Sequence, residues 1–385
     1  MSWLFIEPSD VWLFRDSRPF AAGEGHAATT IYPPAPFTVQ GALRSWLLGS
    51  EMIDWAAFRD QSDDPAKEMA ARIGHPPRKG VAGSLGAFRM RGPLRARRVA
   101  GRAEILYPAP LDIYHVEDGQ WRALRPGKTA AVMDWDEGLS PLLPDPNDPN
   151  DKPDEEPGTA LTHAGLRDYF DGRRFGLLAG SEMMPEPRLG IAMDYAAGRA
   201  ADSMLYLAEF ARLPSPTEAE RYGLLVEVDD ALNWPGQGVI SMGGEARASL
   251  VRKLGAPELP EPPPTLTSAA RFKIILLTPA WFAAGRRPEN GDWAAFFGTS
   301  AGAKLKCVAA AVGRPLYLGG WDAARGGHKP LRGFVPPGSV FYFEAGQPVT
   351  LPAAFTQTPP GELSFPGQGL GAFVAGLWSE LGIRN

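Results

Sequence analysis

The sequence predicts an α+β chain of two domains, and three observations carry that expectation. Its 385 residues exceed one ordinary domain and suit two. It holds 44 glycines and 39 prolines, more than a fifth of all positions, which fills a chain with turns and long loops. Its apolar runs are short, and strand-like stretches outnumber helical ones. Hydrophobic residues at 44% and charged residues at 22% match globular chains and exclude disorder throughout. The boundary is placed near residue 200, giving one domain over 1–200 and another over 201–385.

The opening WLFIEPSDVWLFRD splits two aromatic and aliphatic runs at Glu7-Pro8-Ser9-Asp10, which predicts a hairpin or strand–turn–strand start. A Gly-rich loop follows, where prolines 33, 34 and 36 oppose regular structure. A helix is expected after Thr38 as its cap, because Val39, Leu43, Trp46 and Leu47 share one helical face. Gly41 on that helix implies a close backbone approach, since glycine there costs about 1 kcal/mol relative to alanine. Strand, loop and helix together begin an α+β unit. SMLYLAEFARL, YGLLVEVDDAL, FKIILLTPAWF and GSVFYFEA read as further strands, and KLKCVAAAV as strand or helix. The proline-dense LGAPELPEPPPTLTS reads as a joint, and three glycines at 367, 369 and 371 precede a last apolar element.

Charge is unevenly spread. The formal net charge is −5, yet residues 134–156 alone hold nine acidic residues and a single lysine, so the rest of the chain is net positive. That acidic stretch, rich in proline and asparagine, reads as a solvated or disordered insertion at about 134–160. Against it, RMRGPLRARRVAGR at 89–102 carries six arginines and no acid. Two readings of it stand open: a solvated basic loop, or a phosphate track, since guanidinium forks match phosphate oxygens bidentately.

Much chemistry is missing. One cysteine excludes a disulfide framework, and Cys307 in its apolar stretch reads as a small buried residue. No secretory leader is visible at the start, and no apolar run reaches the ~18 residues of a membrane span, which points to a cytoplasmic chain with no membrane partner. There is no P-loop, no H-E-x-x-H, no calcium loop and no G-x-S-x-G elbow, and PGQGLGA lacks the dinucleotide spacing. No cofactor is implied. Of the five histidines, His26 is the one candidate for acid–base work, lying in the Gly-rich loop beside Glu24, Thr29 and Thr30. Eleven tryptophans invite a carbohydrate-binding reading, but no aromatic cluster supports it.

Recognition remains. Arg15 and Arg18 follow a strand, with Asp16 between them to orient one, and the glycines beyond expose backbone N–H groups to an anion. Arg44 lies in the N-terminal half of the expected helix, where the dipole favours phosphate. An internal salt-bridge network is the alternative use of these arginines.

FRDSRPF, AAGEGHA, IYPPAPFTVQGALR, RLGIAMDYAAGRAADSMLYLAEFARL, Gly243-Gly244-Glu245-Ala246-Arg247, Gly319-Gly320-Trp321-Asp322 and PPGSVFYFE occur in an order that covers nearly the whole chain. In that series the sequence resembles the third-subunit RAMP family of the type III-B (Cmr) CRISPR effector complex. Ser17 departs from the family's usual glycine, and the acidic insertion has no family motif.

The resemblance implies two ferredoxin-like (RRM-like) domains with long loops and a Gly-rich loop near the C-terminus. It implies a non-catalytic subunit in antiviral defence that holds the repeat-derived 5′ handle of the crRNA. It also implies docking on the large polymerase/cyclase-like subunit and on a backbone RAMP subunit, with target RNA met indirectly. Arg15, Arg18, His26, Arg44 and Arg247 become candidate handle contacts, with Gly367, Gly369 and Gly371 as a close-approach loop. Trp321 is expected in the core and Asp322 as a turn or hydrogen-bonding residue. The rival is a metal-independent, repeat-processing endoribonuclease using His26.

Overall fold

The computed structural model describes residues 1–16, 27–76, 81–117, 119–127, 139–148, 159–178, 183–194, 196, 198–214, 217, 219–260, 266, 270–298, 305–322 and 326–379. It is α+β with strand predominant, as the composition predicts. The chain groups into two compact units. Unit 1 takes Met1–Ala103, Glu182–Ala256 and Tyr317–Arg332; unit 2 takes Glu104–Ser181, Pro257–Leu316 and Gly333–Asn385. One crossing, at 256/257, falls within the proline-dense joint.

Unit 1 contains β1 (Ser2–Pro8), α1 (Pro36–Ser50), β2 (Met90–Val99), β3 (Met184–Asp194), β4 (Arg199–Arg212), β5 (Glu220–Val228), β6 (Gln237–Met242) and β7 (Arg247–Leu254). Five of these strands pair antiparallel in the order β6-β7-β1-β5-β2. β1 is central because its residues from Ser2 to Glu7 are all buried, so both of its edges and both of its faces are covered. The expected opening hairpin does not form. β1 pairs with β5 and β7, and Trp12 of the second run bridges Ala211 in β4. A hairpin would have served only one edge of a fully buried strand.

α1 begins earlier than expected. Ala35 is the N-cap and makes no side-chain cap bond, and Pro36 opens the helix. Proline's fixed φ and missing N–H suit that first position, so the residue read as a breaker is the starter. Val39, Leu43 and Leu47 are buried, as the spacing predicts, and α1 packs on β6 and β2. The close approach expected at Gly41 is absent, since a Cβ there would meet nothing within 4 Å. The tight glycine is across the contact: a Cβ on Gly238 of β6 would lie 2.6 Å from the Trp46 indole nitrogen.

The arginine-rich stretch is neither loop nor free track. It is mostly β2, whose Arg91 sits opposite Glu227 of β5. Arg97 lies 3.4 Å from Glu220, and Arg98 lies 3.6 Å from the buried Glu7. Carboxylates on neighbouring strands thus offset the repulsion that the sequence alone left unanswered. β3 and β4 form a long hairpin whose alternation is one-sided: Ala208 and Phe210 are buried, whereas Leu189, Ile191, Leu205 and Leu207 are exposed.

Unit 2 is built on β8 (Ala270–Leu276), β9 (Leu305–Ala311), β10 (Val340–Ala345) and β11 (Phe373–Leu377), antiparallel in the order β9-β10-β8-β11. KLKCVAAAV is therefore a strand, bulged between Cys307 and Ala309. Its core is aromatic, with Phe272 stacked on Phe343 at 5.1 Å and Trp293 on Phe355 at 5.4 Å. Within the acidic stretch, residues 139–148 are described. Leu142–Leu143 pairs with Arg125–Pro126, and Asp148 accepts from Tyr114 and pairs with Arg122 and Arg174.

Candidate nucleic-acid interface

The segment leading to Arg15 is held from both sides. Val11, Trp12, Leu13 and Phe14 are buried, and Arg15 is the first exposed residue after them. Trp12 Nε1 donates to Ser249 Oγ at 2.7 Å. Phe14 N–H donates to Thr30 Oγ1 at 2.9 Å, Asp16 N–H to Thr29 O at 2.9 Å, and Ile31 N–H to Phe14 O at 2.8 Å. Arg15 bridges Thr30 in this short ladder.

On the other side lies the turn Gly243-Gly244-Glu245-Ala246-Arg247. Gly243 has φ +78°, and a Cβ there would stand 2.5 Å from Leu13 O. Gly244 N–H donates to that same carbonyl at 2.7 Å. The double glycine is thus a close-approach device. It docks the turn on the residues just ahead of Arg15, so that Arg15 and Arg247 belong to one neighbourhood of unit 1.

Arg247 lies over the buried Phe210 ring at 4.7 Å, and Arg188 lies over the same ring at 4.9 Å. Arg188 and Arg212 pair with both Asp10 and Glu186. Hydrogen bonds from Arg188 lower the Asp10 pKa, and hydrogen bonds from Arg212 lower that of Glu186. Arg247 has a lighter counterweight, its salt bridge to Glu245. Its Nε is buried and has no hydrogen-bond partner among the described residues. Arg188 and Phe210 were not singled out from the sequence. The signal was there: both lie in the motif at 188–213, on the two facing strands near the open end of the hairpin.

Arg44 sits on α1 over the Phe88 ring at 5.3 Å. Desolvation pushes its pKa down to about 10; Asp322 opposes that shift and Arg89 adds to it. The group remains a cation at neutral pH. Its Nε and Nη2 are buried without a hydrogen-bond partner among the described residues. A desolvated cation of this kind is costly in the empty protein and gains most when an anion arrives.

Arg18, His26 and Ser17 lie outside the described residues. Gly367, Gly369 and Gly371 are buried in unit 2. Their N–H groups donate to Ser364 Oγ, Pro366 O and Pro279 O, and a Cβ on Gly371 would stand 2.7 Å from Thr356. The expectation that Trp321 is core is overturned: it is 58% exposed. Two residues per strand make its ribbon too short to cover a side chain that large.

Cys307 is half-buried rather than fully buried as expected, and desolvation pushes its thiol up to about 12. A cleft of about 1060 Å³ in unit 2 is walled by Leu111, Leu124, Leu142 and Phe341 and edged by Arg286 and Arg287. No cluster of three metal-ligating side chains occurs among the described residues. None of the described helices is long and apolar enough to cross a membrane.

Comparison with known families places the chain in a CRISPR-associated class of protein. The model of the CRISPR-associated protein family Cas_Cmr3 matches residues 4–378, and the chain belongs to that family, the third subunit of type III-B Cmr effector complexes. No curated protein matches the sequence. Among solved structures, a chain of the type III-B Cmr-beta complex bound to cognate target RNA and AMPPnP gives a TM-score of 0.45 at 12% identity, covering 88% of this chain and 86% of that one. A chain of the Cmr-beta complex bound to cognate target RNA gives 0.45 at 14% identity, with the same coverage.

Proposed function

We propose that this chain is a non-catalytic RNA-binding subunit, gripping the repeat-derived 5′ handle of the crRNA in the cytoplasm. In this reading its two units are ferredoxin-like RAMP domains. It docks on the large polymerase/cyclase-like subunit and a backbone RAMP subunit for antiviral defence, and meets target RNA indirectly. The observation that carries the reading is Arg44, a desolvated guanidinium with buried donors unspent on the described residues. Phosphate oxygens complement such a fork better than water does.

Arg15 and Arg18 extend the contact along the N-terminal segment, with His26 near them in sequence, and Arg247 adds to it from the turn at 243–247. The glycines at 367, 369 and 371 enter as residues that shape a loop, because their N–H groups are already engaged. The complex purified through this chain is expected to carry short RNAs that share one 5′ sequence. Arg15→Ala and Arg18→Ala each weaken handle binding by roughly 1–3 kcal/mol if their phosphate bonds are charge-assisted. Unchanged affinity in both removes them from the site. Incubating the chain with repeat RNA and a chelator tests the non-catalytic part: a discrete cut that disappears in His26→Ala would make the chain a nuclease.

A further inference from the structure

Unit 1 carries an aromatic feature that the arginine site does not use. Trp321–Asp322 and Gly327–His328 form a two-stranded ribbon in which Trp321 faces His328. Lys329 N–H closes it by donating to Gly320 O at 2.9 Å. Gly320, at φ +131°, supplies a backbone conformation that only glycine adopts easily, directly before the tryptophan. The indole is 58% exposed, and the His328 ring meets it edge-on at 5.1 Å and 88°. A large ring is thus presented to solvent and braced at its side.

The ribbon lies along one face of α1. Lys329 Nζ stands 5.0 Å from the centre of the Phe37 ring, and Asp322 acts electrostatically on Arg44, seven residues further along the helix. Seven residues is two helical turns, so both contacts fall on the same side. The ring is therefore tied to the helix that bears Arg44. Among the described residues of this unit 1 segment, Lys329 and Arg332 stand against the single acid Asp322. Tyr317, 56% exposed, adds a second aromatic surface to the same segment. A polyanion with flat bases suits this set better than an acid-bearing or purely apolar protein surface does.

We infer that Trp321 is a stacking platform for an unpaired base of single-stranded RNA, with Lys329 and Arg332 of the same segment following the neighbouring phosphates. The inference rests on the RNA-binding reading and extends it to a residue outside the arginine set. Stacking of this kind tolerates any base, because every base has a π-face.

The test measures fluorescence anisotropy of the full-length chain with a fluorescein-labelled, mixed-sequence RNA decamer, and with the same decamer made abasic throughout. Trp321→Ala is expected to weaken binding to the decamer by about 5- to 150-fold, the range of one base–aromatic stack. Trp321→Phe should retain most of the affinity, and the abasic strand should bind wild type and Trp321→Ala alike. Because the side chain is exposed, the thermal midpoint of Trp321→Ala should match wild type. Equal binding of the decamer by wild type and Trp321→Ala overturns the inference and leaves the RNA-binding reading standing. Equal losses on intact and abasic strands overturn it too, since the ring is then not stacking. A variant that keeps RNA but no longer co-purifies with its protein neighbours makes Trp321 a docking residue instead. No RNA affinity in the wild-type chain removes both readings together.

Discussion

Asp112 and Lys273 form a charge pair in unit 2 that is shielded from water. Asp112 is 0% exposed and Lys273 is 3% exposed, with Nζ 3.7 Å from the carboxylate. Tyr169 donates its hydroxyl to Asp112 at 2.8 Å, Tyr342 donates as well, and the ammonium stands 3.6 Å from the Tyr169 ring centre. Desolvation pushes the Lys273 pKa down to about 8, with Asp112 opposing the shift.

Asp112→Asn keeps an acceptor for the tyrosines and removes the countercharge. Below pH 8 the wild-type lysine is charged in folded and unfolded chains alike, and the variant must bury that ammonium uncompensated or discharge it, losing about 3–5 kcal/mol. Above pH 8 the folded state gives up its proton before the unfolded chain does. The unfolded state then binds more protons, so the Lys273 contribution to stability rises with pH up to lysine's ordinary value of about 10.4. Without its partner the lysine deprotonates at still lower pH, so the deficit of the variant shrinks from pH 6 to pH 9. The assay is hydrogen exchange of peptides from β8 and β10 at both pH values, which reports on unit 2 alone. Asp112→Asn with Lys273→Met should cost less than Asp112→Asn by itself. An equal deficit at both pH values, or a double variant as damaged as the single one, would refute the reasoning.

Three further outcomes are expected. Gly243→Ala should cost about 1–3 kcal/mol through positive φ and the clash with Leu13 O, and raise exchange across residues 11–16. Gly244→Ala, whose new methyl would press on the Leu13 side chain at 3.0 Å but reach Leu13 O only at an ordinary 3.5 Å, should cost less; the reverse order would discredit the turn-docking account. Arg44→Met should leave the thermal midpoint unchanged or raised, since a desolvated charge is removed while contact with Phe88 is kept, and should lower the salt dependence of RNA binding by about one phosphate contact. A lower midpoint with unchanged RNA binding would return Arg44 to a structural role. Cys307 should resist iodoacetamide at pH 8, because its thiol is pushed up to about 12, and rapid alkylation of the folded chain would contradict that burial.

Local chemistry was legible where it is settled by neighbours in sequence. The apolar face Val39, Leu43 and Leu47 reads as a helix because 3.6-residue spacing needs no partner to be recognised, and FKIILL reads as a buried strand because it lacks any solvent face. The ordered motifs gave the family for the same reason, since they are strings of adjacent residues.

What tertiary structure alone decided concerns partners far apart in the chain. Six arginines read as a loop or a track until Glu7, Glu220 and Glu227 came alongside as strand neighbours. Gly243 acquires its purpose only where Leu13 passes beside it, 230 positions away, and Trp321 is exposed because its ribbon is too short to bury it. Composition and spacing determine which face an element hides. Whether a charge is matched or a ring left open depends on what folds against it, and that is a property of the packed chain.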